Sequence, residues 1–592
     1  MNNGSSFERL AAFRRLLGQQ GFAGALVLTS DPHLCEYVPD HWRQCEALTG
    51  FTGSAGTLLV EENAAALATD SRYWEQARKE LPEAIELIQA TSTAFEELVD
   101  WFARKLPSGG TVAVDERTIS YADALKLSSL FSARGLQFLT TSIDWREVWT
   151  DRPDAVGSPI AAMRRPCRSR REKLSALRAR LTERGATSLF LASLDEIAWL
   201  TNMRGADVPN NPVFEAEMVV GADDAVLYAD VRRFSNEDVE ALSADGIVIR
   251  PSSALHADLR EAARRGRIMT DPSSVTVESL ACINADDLLF ESPSVVCVLK
   301  SQKTDAELDA IREAHLLDAT ALVEFYAELD ERLRAGERLT EWDAASLLHE
   351  HREKMPGFID ESFTTIAAYG PNAAMPHYQP DPKHSAELRA GNLLLIDSGA
   401  HYDCGTTDVT RMTAVGEISE AMRADVTLAT RAMLRLLNLR FPVGATGAQV
   451  DTAARMDLWR EGIDFGHGTG HGVGYVLNVH EAPVTISPRA HKFKLAPGNV
   501  VSDEPGIYRP GEWGIRVENL MCVVPDKETN FGRFLRFEPL TFCPIDVRPM
   551  AKPFGDLVDE LNAFNARCVK ALEGRVSKRA LCWLKKAAAV AS

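Results

Sequence analysis

The chain has 592 residues, with 65 Lys plus Arg against 84 Asp plus Glu and a formal charge of −19. At roughly 100 to 200 residues per domain this is several domains, and 45% hydrophobic with 25% charged residues is ordinary globular composition, which excludes disordered, collagenous and fibrous chains. An acidic surface repels phosphates, so a general cationic hold on nucleic acid is excluded as well, and no long Lys/Arg run offers a local substitute.

Residues Met1 to Gln20 set Arg9, Arg14 and Arg15 among Leu10, Phe13, Leu16 and Leu17 at helical spacing, without the uninterrupted apolar run of a targeting peptide, and predict a first helix. Ala25 to Ser30 (ALVLTS) is an apolar strand, followed by Gly50-Phe51-Thr52-Gly53-Ser54-Ala55-Gly56, a strand Thr57 to Val60, and Asp70-Ser71-Arg72-Tyr73-Trp74. The pattern returns with Ser188 to Ser193 (SLFLAS), Trp199-Leu200, Arg204-Gly205-Ala206-Asp207, Met218 to Val220, and Asp230-Val231-Arg232-Arg233-Phe234. Both stretches alternate short strands with amphipathic helices such as Lys173 to Arg184 and Ser235 to Leu242. Each reads as an α/β domain, and the pair as a duplication.

Between them, Trp149 to Ser169 gathers Pro153, Gly157, Pro159 and Pro166 among polar residues, a linker composition that marks a boundary. A second boundary falls near Ser301. There Thr304-Asp305-Ala306-Glu307 has the capping-box form and opens a helix whose apolar face carries Leu308, Ile311, His315, Leu322, Phe325 and Leu329. The ten cysteines are dispersed without a Cys-x-x-Cys pair, and no apolar stretch approaches the roughly 18 residues that span a bilayer. The expectation is a reduced, soluble, cytoplasmic protein.

After Ser301 the chain is dense in Gly, His and acidic residues, and five stretches place a carboxylate or imidazole at a strand end or beside glycine. Leu393 to Ile396 is a buried-strand pattern ending in Asp397, and a short hairpin would bring Asp408 of Thr406-Thr407-Asp408-Val409-Thr410-Arg411 back beside it. Gly466-His467-Gly468-Thr469-Gly470-His471-Gly472-Val473-Gly474 lets the backbone approach whatever its histidines hold, and it lacks the Gly-Lys-Ser/Thr ending of a phosphate loop. Val500 to Ser502 is another strand, closing on Asp503-Glu504. In Gly514-Ile515-Arg516-Val517-Glu518-Asn519 the alternation predicts one strand with Arg516 and Glu518 on the same face.

Each of these residues alone is an ordinary cap or core residue. Together, Asp397, Asp408, His471, Glu504 and Glu518 are four carboxylates around one imidazole, which would repel one another unless about two divalent ions neutralised them. An oxygen-rich set with one His and no thiolate favours Mn²⁺ and admits Co²⁺, Fe²⁺ or Zn²⁺. Two such ions can share a water and bring its pKa from about 15.7 to roughly 7, which makes a hydrolase centre.

The ordered motifs Ile396-Asp397-Ser398-Gly399, Gly405 to Arg411, His467 to Gly474, Asn478-Val479-His480-Glu481, Asp503-Glu504-Pro505-Gly506 and Ile515 to Asn519 resemble the pita-bread metallopeptidases. Gly50 to Thr57, Thr69 to Tyr73, Trp149 to Pro153 and Ile197 to Gly205 extend the resemblance over nearly the whole chain, toward the long, three-domain aminopeptidase P branch. It implies an α/β multi-domain chain: two creatinase-N-like α/β domains, 1–155 and 156–300, before a pita-bread α+β catalytic domain, 301–592.

It also implies that Asp397 chelates one ion, that Asp408 and Glu518 bridge the two, and that His471 and Glu504 hold the other, with Glu504 as acid/base for a bridging hydroxide. His377, in Ala374 to Tyr378, would hydrogen-bond the substrate, His480 would donate to the developing oxyanion, and His467 would line the product side. Arg72 would contact bound peptide or make an internal salt bridge with a residue such as Asp70, and Arg516 would orient acidic ligands. Cys404 departs from the family pattern, which has an acid there.

The implied activity is release of the N-terminal residue from peptides with proline second, by a homodimer joined through its catalytic domains, with no nucleic-acid or membrane partner. The N-terminal domains would admit a flexible peptide end and exclude folded chains. The alternatives are a prolidase confined to Xaa-Pro dipeptides, a creatinase-like amidinohydrolase, and a catalytically dead relative that only binds. Two added N-terminal domains disfavour the first, and the full ligand set disfavours the other two.

Overall fold

The run read at Ala25 to Ser30 forms strand Gly24–Leu28, near the middle of a six-stranded sheet. The sheet runs Ile85–Gln89, Ala65–Thr69, Thr57–Glu61, Gly24–Leu28, Thr111–Asp115, Gln137–Thr141. Gly24–Leu28, Thr57–Glu61 and Ala65–Thr69 pair antiparallel, and the flanking strands join parallel. The second copy repeats this strand by strand: Ile247–Arg250, Ala225–Tyr228, Glu217–Gly221, Ser188–Leu191, Ile268–Thr270, Leu288–Phe290, with the same parallel and antiparallel relations. Ser188–Leu191 is buried throughout and Gly24–Leu28 nearly so, because helices cover both faces; that is why both read as continuous apolar runs.

The duplication extends to a turn. Asp70 Oδ1 accepts from the Arg72 backbone N–H at 3.0 Å, and Asp230 Oδ1 accepts from the Arg232 N–H at 3.0 Å. The first helix is Asn3–Gln20, and the stretch 149–169 carries one short strand, Ala161–Ala162. This computed structural model describes residues 3–90 and 95–589; Met1 and Asn2 of the first segment lie outside them. It divides into two units, Met1–Val298 and Leu299–Ser592.

The second unit opens with helix Asp305–Arg334, whose N-cap Thr304 forms the capping box with Glu307. Leu308, Ile311, His315, Leu322, Phe325 and Leu329 are all buried along it. A three-stranded antiparallel sheet (Ile366–Tyr369, Asn392–Ser398, Val409–Val415) and a six-stranded sheet (Arg440–Pro442, Gly532–Pro539, Asn519–Thr529, Val500–Asp503, Gly470–Gly472, Glu481–Ile486) share one apolar core with helices Glu420–Leu437 and Gly447–Arg460. Leu393, Leu395, Met433, Leu458, Val501 and Met521 interlock there.

One expectation fails. Gly514 to Asn519 is not a single strand: Trp513–Arg516 ends a two-stranded ribbon with Gly506–Arg509, and Asn519–Thr529 begins in the six-stranded sheet. The break arises where the chain changes sheets. At the break the Glu518 N–H donates to the Thr410 carbonyl at 3.2 Å, outside any regular strand ladder.

Candidate metal centre

Asp397 is the penultimate residue of strand Asn392–Ser398 and lies opposite Thr410 in the ladder; Asp408 immediately precedes Val409–Val415. The small hairpin Ala400–Tyr402 with Gly405–Thr406 folds the intervening chain back, so the two acids share one end of the sheet. Glu504 follows Val500–Asp503, where Val501 pairs with Gly472 beside His471 and Asp503 pairs with Asn519 beside Glu518. Five side chains from five segments are thereby brought to one end of the sheets.

Ligand atoms of Asp408, His471 and Glu518 lie within 4.8 Å of one another. His471 Nε2 is 3.5 Å from Asp408 Oδ2 and 3.3 Å from Glu504 Oε1. Its Nδ1 is 2.9 Å from the Gly472 carbonyl, which can only accept, so Nδ1 carries the hydrogen and Nε2 is aimed between two carboxylates. A nitrogen in that position calls for positive charge, from a proton or a metal ion, and a carbonyl on the far nitrogen is how proteins orient metal-binding histidines. Asp397 Oδ1 and Asp408 Oδ1 are buried without a hydrogen-bond partner among the described residues. The donor set fits divalent ions.

The electrostatics agree. Burial alone would lower the His471 pKa, but the hydrogen bond to Asp408 and the charges of Glu504 and Asp408 outweigh it and raise it to about 9. Burial raises Glu518 well above the carboxylate range, and the charges of Asp408, Asp397 and Glu504 push it further. Glu504 is raised first by burial, against His471 and Arg516, and Asp397 likewise against Arg516. Protons accumulate where positive charge is missing, and this is what a cation would replace.

The supporting residues were only partly foreseen. Arg516 grips Asp397 Oδ2 through Nε at 3.1 Å and through Nη2, and donates from Nη2 to the Pro376 carbonyl, next to His377, at 3.1 Å. Thr410 Oγ1 donates to Glu518 at 2.6 Å, and Ser502 Oγ accepts from the His471 N–H at 2.9 Å while donating to Glu504 at 3.1 Å. Ser502 and Glu504 stand two apart at a strand end, a spacing that signals a shared face. Tyr508 carried no signal. Its hydroxyl lies 2.8 Å from His467 Nε2 and accepts from Arg516 Nη1 at 2.7 Å, while His467 Nδ1 meets the Gly468 carbonyl at 2.7 Å. His467 is thus held on both ring nitrogens.

His480 packs edge-on to His471 with ring centroids 4.3 Å apart, and His377 is half-buried in the turn after Gly370–Ala374. Arg72 belongs to the first unit, where Nη2 and Nε reach Asp70 at 2.7 and 2.9 Å. Cys404 is fully buried, and its substitution for an acid leaves all five candidate ligands in place.

The fold and these residues define the class: residues 309–525 match metallopeptidase family M24, and 9–146 and 151–307 each match the creatinase/prolidase N-terminal domain. The chain is 37% identical over 568 residues to a probable Xaa-Pro aminopeptidase P of Pyricularia oryzae, covering 92% of both. It superposes with TM-score 0.93 and 29% identity on X-prolyl aminopeptidase of Caenorhabditis elegans, described as a cytosolic enzyme with a di-nuclear active site, over 99% of this chain and 100% of that one. An Xaa-Pro dipeptidase of Bacillus anthracis aligns at TM-score 0.51 and 26% identity, over 64% of this chain and 99% of its own. The chain belongs to the Xaa-Pro aminopeptidase P family.

Proposed function

We propose that the chain is a metal-dependent aminopeptidase that releases the N-terminal residue from peptides with proline second. The observation that carries this is the whole-chain likeness to an X-prolyl aminopeptidase, where the dipeptidase matches about two thirds of it.

Asp397, Asp408, His471, Glu504 and Glu518 would hold two divalent ions, for which Mn²⁺ suits the oxygen-rich set. When bound, such ions supply Lewis-acid chemistry, acidifying water and polarising a carbonyl. Glu504 takes and returns the proton of the attacking water, its carboxylate held by Ser502. His480 donates to the oxyanion that develops on the scissile carbonyl, and His377 hydrogen-bonds the substrate. His467, fixed by Tyr508, lines the product side. The leaving nitrogen is the proline imide, a tertiary amide without N–H. Arg72, oriented by Asp70, contacts the peptide.

A cytoplasmic location is supported by the ten cysteines being scattered along the sequence without a Cys-x-x-Cys pair. No helix among the described residues is long and apolar enough to cross a membrane. Assembly as a homodimer through the catalytic domain rests on the family resemblance, and light scattering that finds a monomer refutes it. The partners are peptides, not nucleic acid, given the charge of −19. The test of activity is an Xaa-Pro-Xaa tripeptide beside an Xaa-Pro dipeptide, before and after chelation. Tripeptide cleavage that chelation abolishes supports the proposal; cleavage of the dipeptide alone makes the protein a prolidase.

A further inference from the structure

His480 sits between two anchors. On its N-terminal side, Gly474 N–H donates to Asn478 O at 2.9 Å and Val476 is held at φ 52°, left-handed backbone that a β-branched residue adopts only under constraint. The constraint is visible. The Leu477 carbonyl accepts from Thr406 Oγ1 at 3.2 Å, and Thr406 Oγ1 is itself 3.0 Å from His401 Nδ1.

On its C-terminal side comes Glu481, 4% exposed, with one lysine on each oxygen: Lys300 Nζ is 3.1 Å from Oε1, and Lys303 Nζ contacts Oε2. Both lysine side chains are 1% exposed. The Lys303 N–H donates to Gly498 O at 2.9 Å, and Asn499 Nδ2 donates to Ser301 O at 3.0 Å. A Cβ at Gly498 would meet the Lys303 carbonyl at 2.5 Å, so this position requires glycine. The lysines therefore stand on backbone stitched to the segment that leads into strand Val500–Asp503 and Glu504.

Two buried ammonium groups on one carboxylate leave a net positive charge, and desolvating each ion is costly. One lysine would neutralise Glu481. The second fixes the other oxygen, and with it the carboxylate plane and the backbone joining it to His480. We infer that Lys300 and Lys303 are positioning residues for His480, acting through Glu481. The inference rests on the reading that His480 donates to the oxyanion, a task that demands placement to about 0.5 Å.

Lys303→Met leaves a neutral Lys300–Glu481 pair, so no uncompensated charge is stranded while the hold on His480 loosens. With metal-loaded enzyme and an Xaa-Pro-Xaa tripeptide, kcat should fall about 10- to 100-fold, as for misplacement of a catalytic group by about 1 Å, with KM within about twofold. Metal content and melting temperature should stay near wild type. In a His480→Ala background Lys303→Met should lower kcat no further, because the group it positions is gone. If Lys303→Met folds poorly, Lys300→Met leaves the reciprocal neutral pair and the same cycle decides. A fall by the same factor in the His480→Ala background, or wild-type kcat in both lysine variants, overturns the inference. Wild-type enzyme inactive on the tripeptide refutes the parent reading and the inference with it, whereas additivity refutes the inference alone.

Discussion

The arginine-paired carboxylates of the first unit and the clustered carboxylates at the candidate metal centre of the second are held in opposite ways. In the first, Asp70, Asp115 and Asp207 each face an arginine, at 2.7 Å from Arg72, 2.7 Å from Arg117 and 2.5 Å from Arg233. Asp115, 2% exposed, also accepts from Trp145 Nε1 at 2.7 Å. In the second, Asp397, Asp408, Glu504 and Glu518 converge on Arg516 and His471, and two of their oxygens accept nothing among the described residues. A carboxylate balanced inside the protein holds structure. One left unbalanced at a convergence of strands awaits a ligand.

The largest effect should come from breaking each kind. Glu518→Gln removes one charge from the unbalanced set, so metal affinity and turnover should fall by at least the roughly 10- to 100-fold seen when the partners of metal ligands are lost. The metal-free variant should melt higher than metal-free wild type, since a buried repulsion is gone. Asp115→Asn should do the reverse: a lower melting temperature, from loss of charge-assisted bonds worth roughly 1.5 to 3 kcal/mol each, with kcat unchanged. Metal analysis, kcat and melting curves on both variants check this, and near-normal turnover in Glu518→Gln breaks the five-ligand assignment.

Next in size are His480→Ala and His377→Ala. Both should retain wild-type metal content while kcat drops, by about 10² to 10³ for loss of the oxyanion donor His480. An empty site in either variant would make that residue a ligand.

The pH dependence is smaller and signed. A group whose folded pKa is raised gives stability that is complete below its ordinary value and lost as pH rises through the folded one. For His471 that window runs from 6.5 to about 9. Glu518, Glu504 and Asp397, also raised, act with the same sign from the acid side. Metal-free protein should therefore melt lower as pH rises from 6.5 to 9, and saturating Mn²⁺ should remove or reverse the slope, because the ion replaces the protons. A melting temperature that climbs with pH without metal contradicts the electrostatic account.

The smallest effect is at Arg72. Its side chain is 28% exposed beside Asp70. Arg72→Ala should raise KM for tripeptides more than it lowers kcat, since it removes binding remote from the reacting carbonyl. A lower melting temperature with unchanged KM assigns Arg72 to structure alone, at the roughly 0 to 1 kcal/mol of an exposed pair.

What was legible in the sequence follows the range of the physics. The repeated strand at Ala25 and Ser188, the capping box at Thr304 and the strand-end acids Asp397 and Glu504 are local patterns, and each is found where its pattern put it. The break before Asn519 was not legible, because alternation across Arg516 and Glu518 persists while the chain leaves one sheet for another. Tyr508 on His467 and Lys303 on Glu481 were invisible for a different reason: such contacts join distant segments, and no spacing rule names the partner.

The central claim, that the carboxylates of the second unit are a cation site, is tested most directly by titrating chelator-treated protein with Mn²⁺ while following tripeptide cleavage. The account predicts uptake of about two ions per chain, matching the number needed to neutralise four carboxylates, with activity rising alongside and neither seen in Glu518→Gln at the same metal concentration. Full cleavage before any metal is added, or activity restored without stoichiometric uptake, would contradict it.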